Sequence, residues 1–451
     1  MANGRPPGDR SGRSSRKSRS GVANEEGLAA LGSPKRGGGR GGAVPNQSGL
    51  QALGERVDQS TGRRGRRSGK RWSTRRKVVT GLTTFVVLLL LAAVASYGYG
   101  RYLFDRTTKA SYSAEVAAQS GQPFTMLVIG SDSRVGQNAQ NFGSAMQVTG
   151  QRSDVVQLWR VTPSNEQIQV LSIPRDTVVS MVGADVNQVG RYNRINSSFN
   201  SGANQLIQTI TANFGIPINY TLQIDFSGFQ DAVNAVGGVT LNFNYPARDA
   251  YSGLAITTPG CQLLGGFQAL AVARARHYQY YKDGSWQYDP TSDFGRIQRQ
   301  DAFIRALLDR AQSTLNPLKI FGLINSVGNG VVIDSRFGYN QVLGLALTYR
   351  NFNTDGLVGQ TLPTVSASAF GYLGSVLAVD QPAAQQMLVN IFGSDLTNPT
   401  NPPPDAYGVA RPPPTLTPTV AAPPPSGTPP ASTTPTTVPP QPFNPTPCTP
   451  G

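Results

Sequence analysis

From Val78 to Gly100 the chain runs for 23 residues without a charged side chain, and the block Phe85 to Val94 inside it is wholly apolar. A stretch of that length matches a hydrocarbon core of about 30 Å. It divides the remaining residues into two parts with different physics. Met1 to Lys77 hold 19 Lys and Arg against 5 Asp and Glu, whereas the rest of the chain has 21 basic and 20 acidic residues. The formal net charge of +15 and the pI of about 10 therefore describe a tail.

That tail is rich in Gly, Ser and Arg and poor in aromatic residues, so it buries too little apolar surface to offset the entropy of ordering it. It is expected to be disordered. Its basic runs, Arg63-Arg64-Gly65-Arg66-Arg67 and Arg75-Arg76-Lys77, abut the apolar stretch. That position favours a role in topology and in contact with anionic lipid over nucleic-acid binding. Only Arg101, Arg106 and Lys109 lie close after the span. The positive-inside rule then puts the N-terminus in the cytoplasm and the bulk of the chain outside. A basic leader of 77 residues is too long for a cleaved signal peptide, which leaves a single-pass signal anchor.

The expected organisation is a basic cytoplasmic tail over 1–77, a transmembrane helix over 78–100, a juxtamembrane stalk over 101–121, an extracytoplasmic domain over 122–395 and a disordered Pro/Thr-rich tail over 396–451. The only cysteines are Cys261 and Cys448, which excludes a Cys-rich zinc site and a disulfide-dense scaffold. In an oxidising exterior they either bridge or stay independent thiols, and both readings stand.

Within the domain, Phe124 to Gly130 reads as a buried strand. Val155 to Val161 and Ile168 to Ile173 read as a hairpin. Ala203 to Phe214 reads as a helix ended by Gly215 and Pro217, and Tyr220 to Ile224 as a strand. Phe229 to Val236 reads as a helix followed by the strand Val239 to Phe243. Gly266 to Arg276 and Gly295 to Gln312 are the clearest helices. Such alternation predicts an α/β domain, with helices packed on a sheet.

Arg and Asp recur where these elements end. Asp132 and Arg134 follow the first strand in GSDSR, Arg152 and Asp154 precede the second in RSD, and Arg175 and Asp176 follow the third in SIPRD. Arg274 and Arg276 close a helix in ARARH. Arg296 and Gln300 in DFGRIQRQ share a helix face, along the rim of the apolar stripe Ile297, Ile304, Leu308 and Ala311. Arg299 points further round, as a surface or salt-bridge residue. Singly, each is the solvated turn or structural ion pair that most such residues are. Together they point to a site at the carboxyl ends of the strands.

The chemistry that wants this composition is pyrophosphate recognition, since guanidinium donates in planar pairs to phosphate oxygens. Two carboxylates among the arginines suit Mg²⁺, which takes one or two carboxylates besides substrate phosphates. Nucleophilic triads fare worse, because His277 is the only histidine and no G-x-S-x-G elbow is present. His277 reads as structural or as a peripheral contact. There is no P-loop and no dinucleotide fingerprint.

GSDSR at 130–134, RSDVV at 152–156, SIPRDT at 172–177, RINSSF at 194–199, DFSGFQDAVNAVGGV at 225–239, PGCQLLGGFQALAVARARH at 259–277 and DFGRIQRQ at 293–300 resemble the LytR-CpsA-Psr family, in that family's order, over roughly Gln122 to Gly393. The resemblance implies a central mixed sheet flanked by helices, with a long hydrophobic cleft for a polyprenyl chain and an Arg-rich mouth for its pyrophosphate. It implies transfer of a glycan phosphate from a polyprenyl-pyrophosphate-linked donor to a peptidoglycan hydroxyl. Asp132 and Asp154 fall where the family binds Mg²⁺. Arg152, Arg175, Arg274, Arg276, Arg296 and Gln300 fall where it grips the pyrophosphate, and Arg134 belongs to the first motif. Asp132, Arg152 and Arg175 are thereby the catalytic candidates. Asp132 is the expected general base, and Asp176 the structural alternative that orients Arg175.

Two stretches depart from the pattern by their length. One is the loop between Asp132 and Asp154, and the other runs from His277 to Asp293 with Tyr278, Tyr280, Tyr281, Trp286 and Tyr288. The aromatic run either stacks on sugars or packs on its own domain. Two rivals share these residues: a phosphohydrolase that uses water as acceptor, and a membrane-bound transcriptional regulator that needs only the basic tail.

Overall fold

The computed structural model describes residues 73–131, 153–183, 190–291, 293–313, 324, 326, 330–409 and 441–448. Contacts divide the chain into Met1–Thr80 and Gly81–Gly451. Of the first unit only 73–80 is described, and it begins a helix.

That helix, α1 (Thr74–Asp105), contains all of Val78–Gly100, and its apolar window is wholly exposed. Among the described residues it is the one helix long and apolar enough to cross a membrane, which fits a single-pass anchor. The stretch read as a stalk is instead built into the domain. Strand β1 (Thr108–Ala110) joins the main sheet, and Glu115 reaches inward to accept from the Thr221 hydroxyl at 2.5 Å. Glu115 also pairs with Arg336, beside the fully buried side chain of Asp334. Burial pushes the Glu115 carboxyl up to about 7, with Thr221 opposing and Asp334 reinforcing the shift.

The apolar runs of the domain become β2 (Phe124–Ser131), β3 (Ser153–Thr162) and β4 (Gln167–Ser172), the last two forming the expected antiparallel hairpin. A short pair follows, β5 (Val178–Ser180) with β6 (Tyr192–Arg194), and then the 3-10 turn Ile195–Ser201. Helix α2 (Ala203–Phe214) ends at Gly215 in the left-handed conformation. Strand β7 (Tyr220–Ile224) leads to α3 (Phe226–Ala235), whose N-cap Asp225 accepts from the Gly228 N–H at 2.8 Å. This cap starts the helix three residues before the expected Phe229.

Next come β8 (Val239–Phe243), β9 (Ala247–Asp249), β10 (Leu254–Ile256), β11 (Gly260–Leu264) and α4 (Gly266–Arg274). The aromatic run is a hairpin, β12 (Gln279–Lys282) and β13 (Ser285–Tyr288), turned by Asp283 and Gly284 at positive φ. Helix α5 (Asp293–Ser313), β14 (Val331–Asp334), α6 (Tyr339–Thr348), β15 (Val358–Thr361), β16 (Thr364–Ser366), β17 (Leu377–Val379) and α7 (Gln381–Phe392) complete the domain.

The main sheet is mixed, in the order β1-β14-β7-β2-β3-β4-β15. One face, with Leu127, Ile129, Val156, Leu158 and Leu171, packs on α2 and α7. On the other face, Ile168 and Val170 are covered by the core that α3, α4, α5 and β8 build. Register places Met126, Val128, Val155, Leu222, Ile224 and Ile333 on that same second face, and these six are only half-buried. The sheet thus carries an apolar strip that stays half-buried.

The reading of 396–451 as a disordered tail is corrected where the chain is described. Asn401 donates its N–H to Ala212 at 2.9 Å, so the chain after α7 lies along α2. Residues 441–448 return as a strap. Phe443 enters the second core, β18 (Thr446–Pro447) pairs with β8, and Cys448 is bonded to Cys261 across 187 residues. Composition misled here because Pro and Thr hide the few residues that make the contacts. Breaking this bridge, by reduction or as Cys448→Ser, is expected to cost about 2–5 kcal/mol. Thermal unfolding of the full chain in micelles with and without reductant measures it, and an unchanged midpoint contradicts the structural role.

Candidate functional site

The carboxyl ends of β2, β4 and β7 and the beginning of β3 meet at one end of the main sheet. After β4 the chain bonds on, Ile173 N–H to the Val156 carbonyl at 2.9 Å, which sets Arg175 beside Asp154. Arg175 Nη1 lies 2.5 Å from Asp154 Oδ1, and its Nε lies 3.3 Å from Asp176 Oδ2. The motif RINSSF supplies the opposite wall. The Ile195 N–H donates to the Thr177 carbonyl at 2.8 Å, and Arg194 Nε reaches Asp176 Oδ1 at 3.0 Å. Arg276, just past α4, brings a third guanidinium within 3.7 Å of Asp176.

Asp176 is therefore the hub, receiving Arg175, Arg194 and Arg276, and its side chain is only 17% exposed. This agrees with the role of orienting Arg175. Burial lowers the Arg175 pKa, but Asp154 and Asp176 more than offset it, so the group stays firmly charged. Arg194 was missed as a site residue, although it opens a motif already singled out; the signal was its place at the end of a short polar strand.

Arg274 lies with its guanidinium 4.2 Å over the Phe226 ring, at the start of α3 beyond β7. Arg296 and Gln300 sit on α5, buried at 5% and 8% exposure rather than along a rim. The Gln300 amide donates to the Ala273 carbonyl at 3.0 Å, tying α5 to the last turn of α4. Asp132, Arg134 and Arg152 lie outside the described residues.

Arg299 forms its salt bridge, but it does so in the deepest interior. Its side chain is fully buried, with Nη1 at 2.7 Å from both Asp289 Oδ2 and Asn444 Oδ1, and Nη2 at 2.7 Å from the Ala275 carbonyl. The Tyr278 ring covers it at 4.4 Å. Gly295 in the DFGR motif is needed because a Cβ there would strike the Asp289 carboxylate. The ion pair thus fixes α5 from behind, one residue from Gln300 and three from Arg296. His277 is exposed, its ring 4.3 Å from that of Tyr251, which agrees with a peripheral contact.

Among the described residues no group of three His, Cys, Asp or Glu could cage a metal ion. The donor set still fits Mg²⁺ of one kind, an ion carried mainly by substrate phosphates and water with one or two carboxylates. Of the two carboxylates expected to hold it, Asp154 is the one described, with one oxygen engaged by Arg175.

The LytR_cpsA_psr family model matches residues 97–392. The chain belongs to the LytR-CpsA-Psr family. Among its family relatives, polyisoprenyl-teichoic acid–peptidoglycan teichoic acid transferase TagV of Bacillus subtilis (strain 168) is 28% identical over 295 residues, covering 62% of this chain and 69% of TagV. The probable cell wall biosynthesis protein LcpB of Corynebacterium glutamicum is 29% identical over 286 residues, 62% of this chain and 63% of LcpB. A LytR-Csp2A-Psr enzyme from Actinomyces oris superposes with a TM-score of 0.51 at 22% identity, over 66% of this chain and 98% of that one, and so shares the fold. The strap at 441–448 lies beyond the segment that the family model matches.

Two outcomes are expected from α5. Arg299→Leu strands Asp289 without its counter-charge and should cost about 3–5 kcal/mol in chemical unfolding; a loss near zero contradicts the buried network. Asp301 faces Gly359 of β15, its Oδ1 has no hydrogen-bond partner among the described residues, and burial, opposed by Arg305, pushes it up to about 7. The folded state then keeps a proton that the unfolded chain sheds near about pH 4, so this group lowers stability as pH rises from about 4 to about 7. Asp301→Asn should narrow the difference between melting midpoints at about pH 5 and about pH 8, and an unchanged difference contradicts the assignment.

Proposed function

We propose that this chain transfers a glycan phosphate from a polyprenyl-pyrophosphate-linked donor to a peptidoglycan hydroxyl, outside the membrane to which α1 anchors it. The observation that carries the reading is the convergence of Arg175, Arg194 and Arg276 on Asp176 beside Asp154. Three guanidiniums against two carboxylates leave positive charge at the mouth, which suits a pyrophosphate. The apolar strip of Met126, Val128, Val155, Leu222, Ile224 and Ile333 starts beside this mouth and offers a surface for the polyprenyl chain. TagV, by its name a teichoic acid–peptidoglycan transferase, supports the reaction class.

In this reading the acceptor hydroxyl oxygen attacks the glycan-bearing phosphorus. A new O–P ester forms, the bridging P–O bond of the pyrophosphate breaks, and polyprenyl phosphate leaves with the electron pair. Arg175 and Arg276, with Arg152, Arg274 and Arg296, hold the phosphate oxygens and stabilise the charge that builds on them. Asp176 keeps Arg175 in place, and Gln300 fixes the end of α4. Asp132 takes the hydroxyl proton. Asp132 and Asp154 would hold Mg²⁺, which supplies neutralisation of the donor's phosphate charge.

Incubating the full chain in micelles with lipid-linked donor and peptidoglycan fragments tests the proposal. The expected product joins donor glycan phosphate to acceptor sugar; a product without acceptor sugar means hydrolysis and overturns it. Arg175→Ala should lower transfer about a hundredfold or more, with Arg175→Lys restoring little because Lys lacks the planar pair of donors. Wild-type transfer by Arg175→Ala contradicts the role. For orientation, protease added to intact cells should digest the domain and spare residues 1–77, and the reverse pattern contradicts an outward domain.

A further inference from the structure

The four-stranded sheet β10-β9-β12-β13 buries one face and leaves the other open. Ala247, Asp249, Leu254 and Ile256 point inward, all nearly inaccessible. Register sets Arg248 opposite Gln279, Gln279 opposite Tyr288, and Tyr281 opposite Trp286. Because side chains alternate along a strand and cross-strand partners share a face, all five of these stand outward. Tyr288 is 67% exposed and Tyr281 40%. The Arg248 guanidinium lies 4.0 Å over the Trp286 ring, and its Nε donates to Gln279 Oε1 at 2.7 Å.

The solvent face of an antiparallel sheet is ordinarily polar. Here it carries three aromatic rings with a guanidinium and an amide among them, Tyr281 set edge-on to Trp286 at 61° between the ring planes. Rings of this kind present apolar area at little cost in conformational freedom, and the planar polar groups supply directed donors and acceptors. A sugar ring has the matching chemistry, with a C–H face to lie on an aromatic ring and hydroxyls at its edge.

The chain links this face directly to the Arg mouth. Strand β12 begins three residues after Arg276. Asp249, next to Arg248 on β9 and 1% exposed, accepts the His277 N–H at 2.8 Å and the Tyr251 N–H at 2.9 Å. Tyr251, 80% exposed, is thereby held against His277, the residue after Arg276. We propose that the outer face formed by Arg248, Gln279, Tyr281, Trp286 and Tyr288 is a subsite for the glycan strand of peptidoglycan, leading the acceptor toward Arg276. The identity of the strand rests on the phosphotransferase reading; the sugar-binding face does not.

The test is calorimetric titration of the full chain in micelles with isolated glycan strands freed of stem peptides and attached polymers. Tyr281→Ala/Tyr288→Ala should weaken binding about tenfold or more, while Arg175→Ala, which acts on phosphate, binds strands as the wild type does. If the double variant melts early, Tyr288→Ser alone, on the most exposed of these rings, should still weaken binding several-fold. Unchanged affinity in these variants, or no strand binding by the wild type, overturns the inference. Strand binding lost in the variant of a protein that transfers nothing upholds the face and sinks the phosphotransferase; transfer with strand affinity unmoved by the variant does the opposite.

Discussion

One carboxylate, Asp176, lets three guanidinium groups occupy the same small volume. Arg175, Arg194 and Arg276 come from three separate segments, after β4, at the end of β6 and after α4, and without a shared counter-charge their repulsion would spread those segments apart. The hub is mostly shielded from water, so its attraction is screened less than that of a surface pair. The price is asymmetry, because the described charges at the mouth remain net positive. The proposed preference for an anionic lipid head rests on that surplus, placed at the carboxyl ends of strands and beside a half-buried apolar strip.

Behind the mouth a second ion pair does a different job. Arg299 and Asp289 are both nearly inaccessible, and Asn444 completes their shell from a strap that returns after a long Pro/Thr-rich stretch. Removing either partner of such a pair leaves a buried charge, whereas the intact pair adds little net stability and mainly specifies position. Its effect is to fix α5, and with it Gln300 against the end of α4. The strap is secured by Cys261–Cys448, so a part of the chain outside the family domain takes part in holding that domain's central helix.

Much of this was legible. Ala203–Phe214, Tyr220–Ile224 and Val239–Phe243 fall where apolar spacing and their glycine boundaries place them. The meeting of Arg175 and Arg276 at Asp176 follows the expectation that charges at element ends gather along the edge where strands finish. Helix α3 began early because Asp225 caps it, a signal present in DFSGF but outweighed by the later apolar run. The hairpin at 279–288 was signalled by Asp283-Gly284, yet its aromatic content read equally as a packed loop. Arg299 was misplaced because helical spacing gives a direction, not a depth; only the distant Asp289 and Asn444 make burial of that charge tolerable. The strap was illegible for a similar reason, since its anchors are single residues in a low-complexity stretch.

The central claim is that the guanidinium cluster around Asp176 holds a lipid pyrophosphate while the apolar strip beside it takes the chain. A crystal structure of the protein with a polyprenyl pyrophosphate tests it most directly. The account predicts the phosphates within hydrogen-bonding distance of Arg175 and Arg276, with the lipid lying over Val128, Val155 and Leu222. Phosphates bound away from the cluster, or a chain that leaves that strip bare, would contradict it.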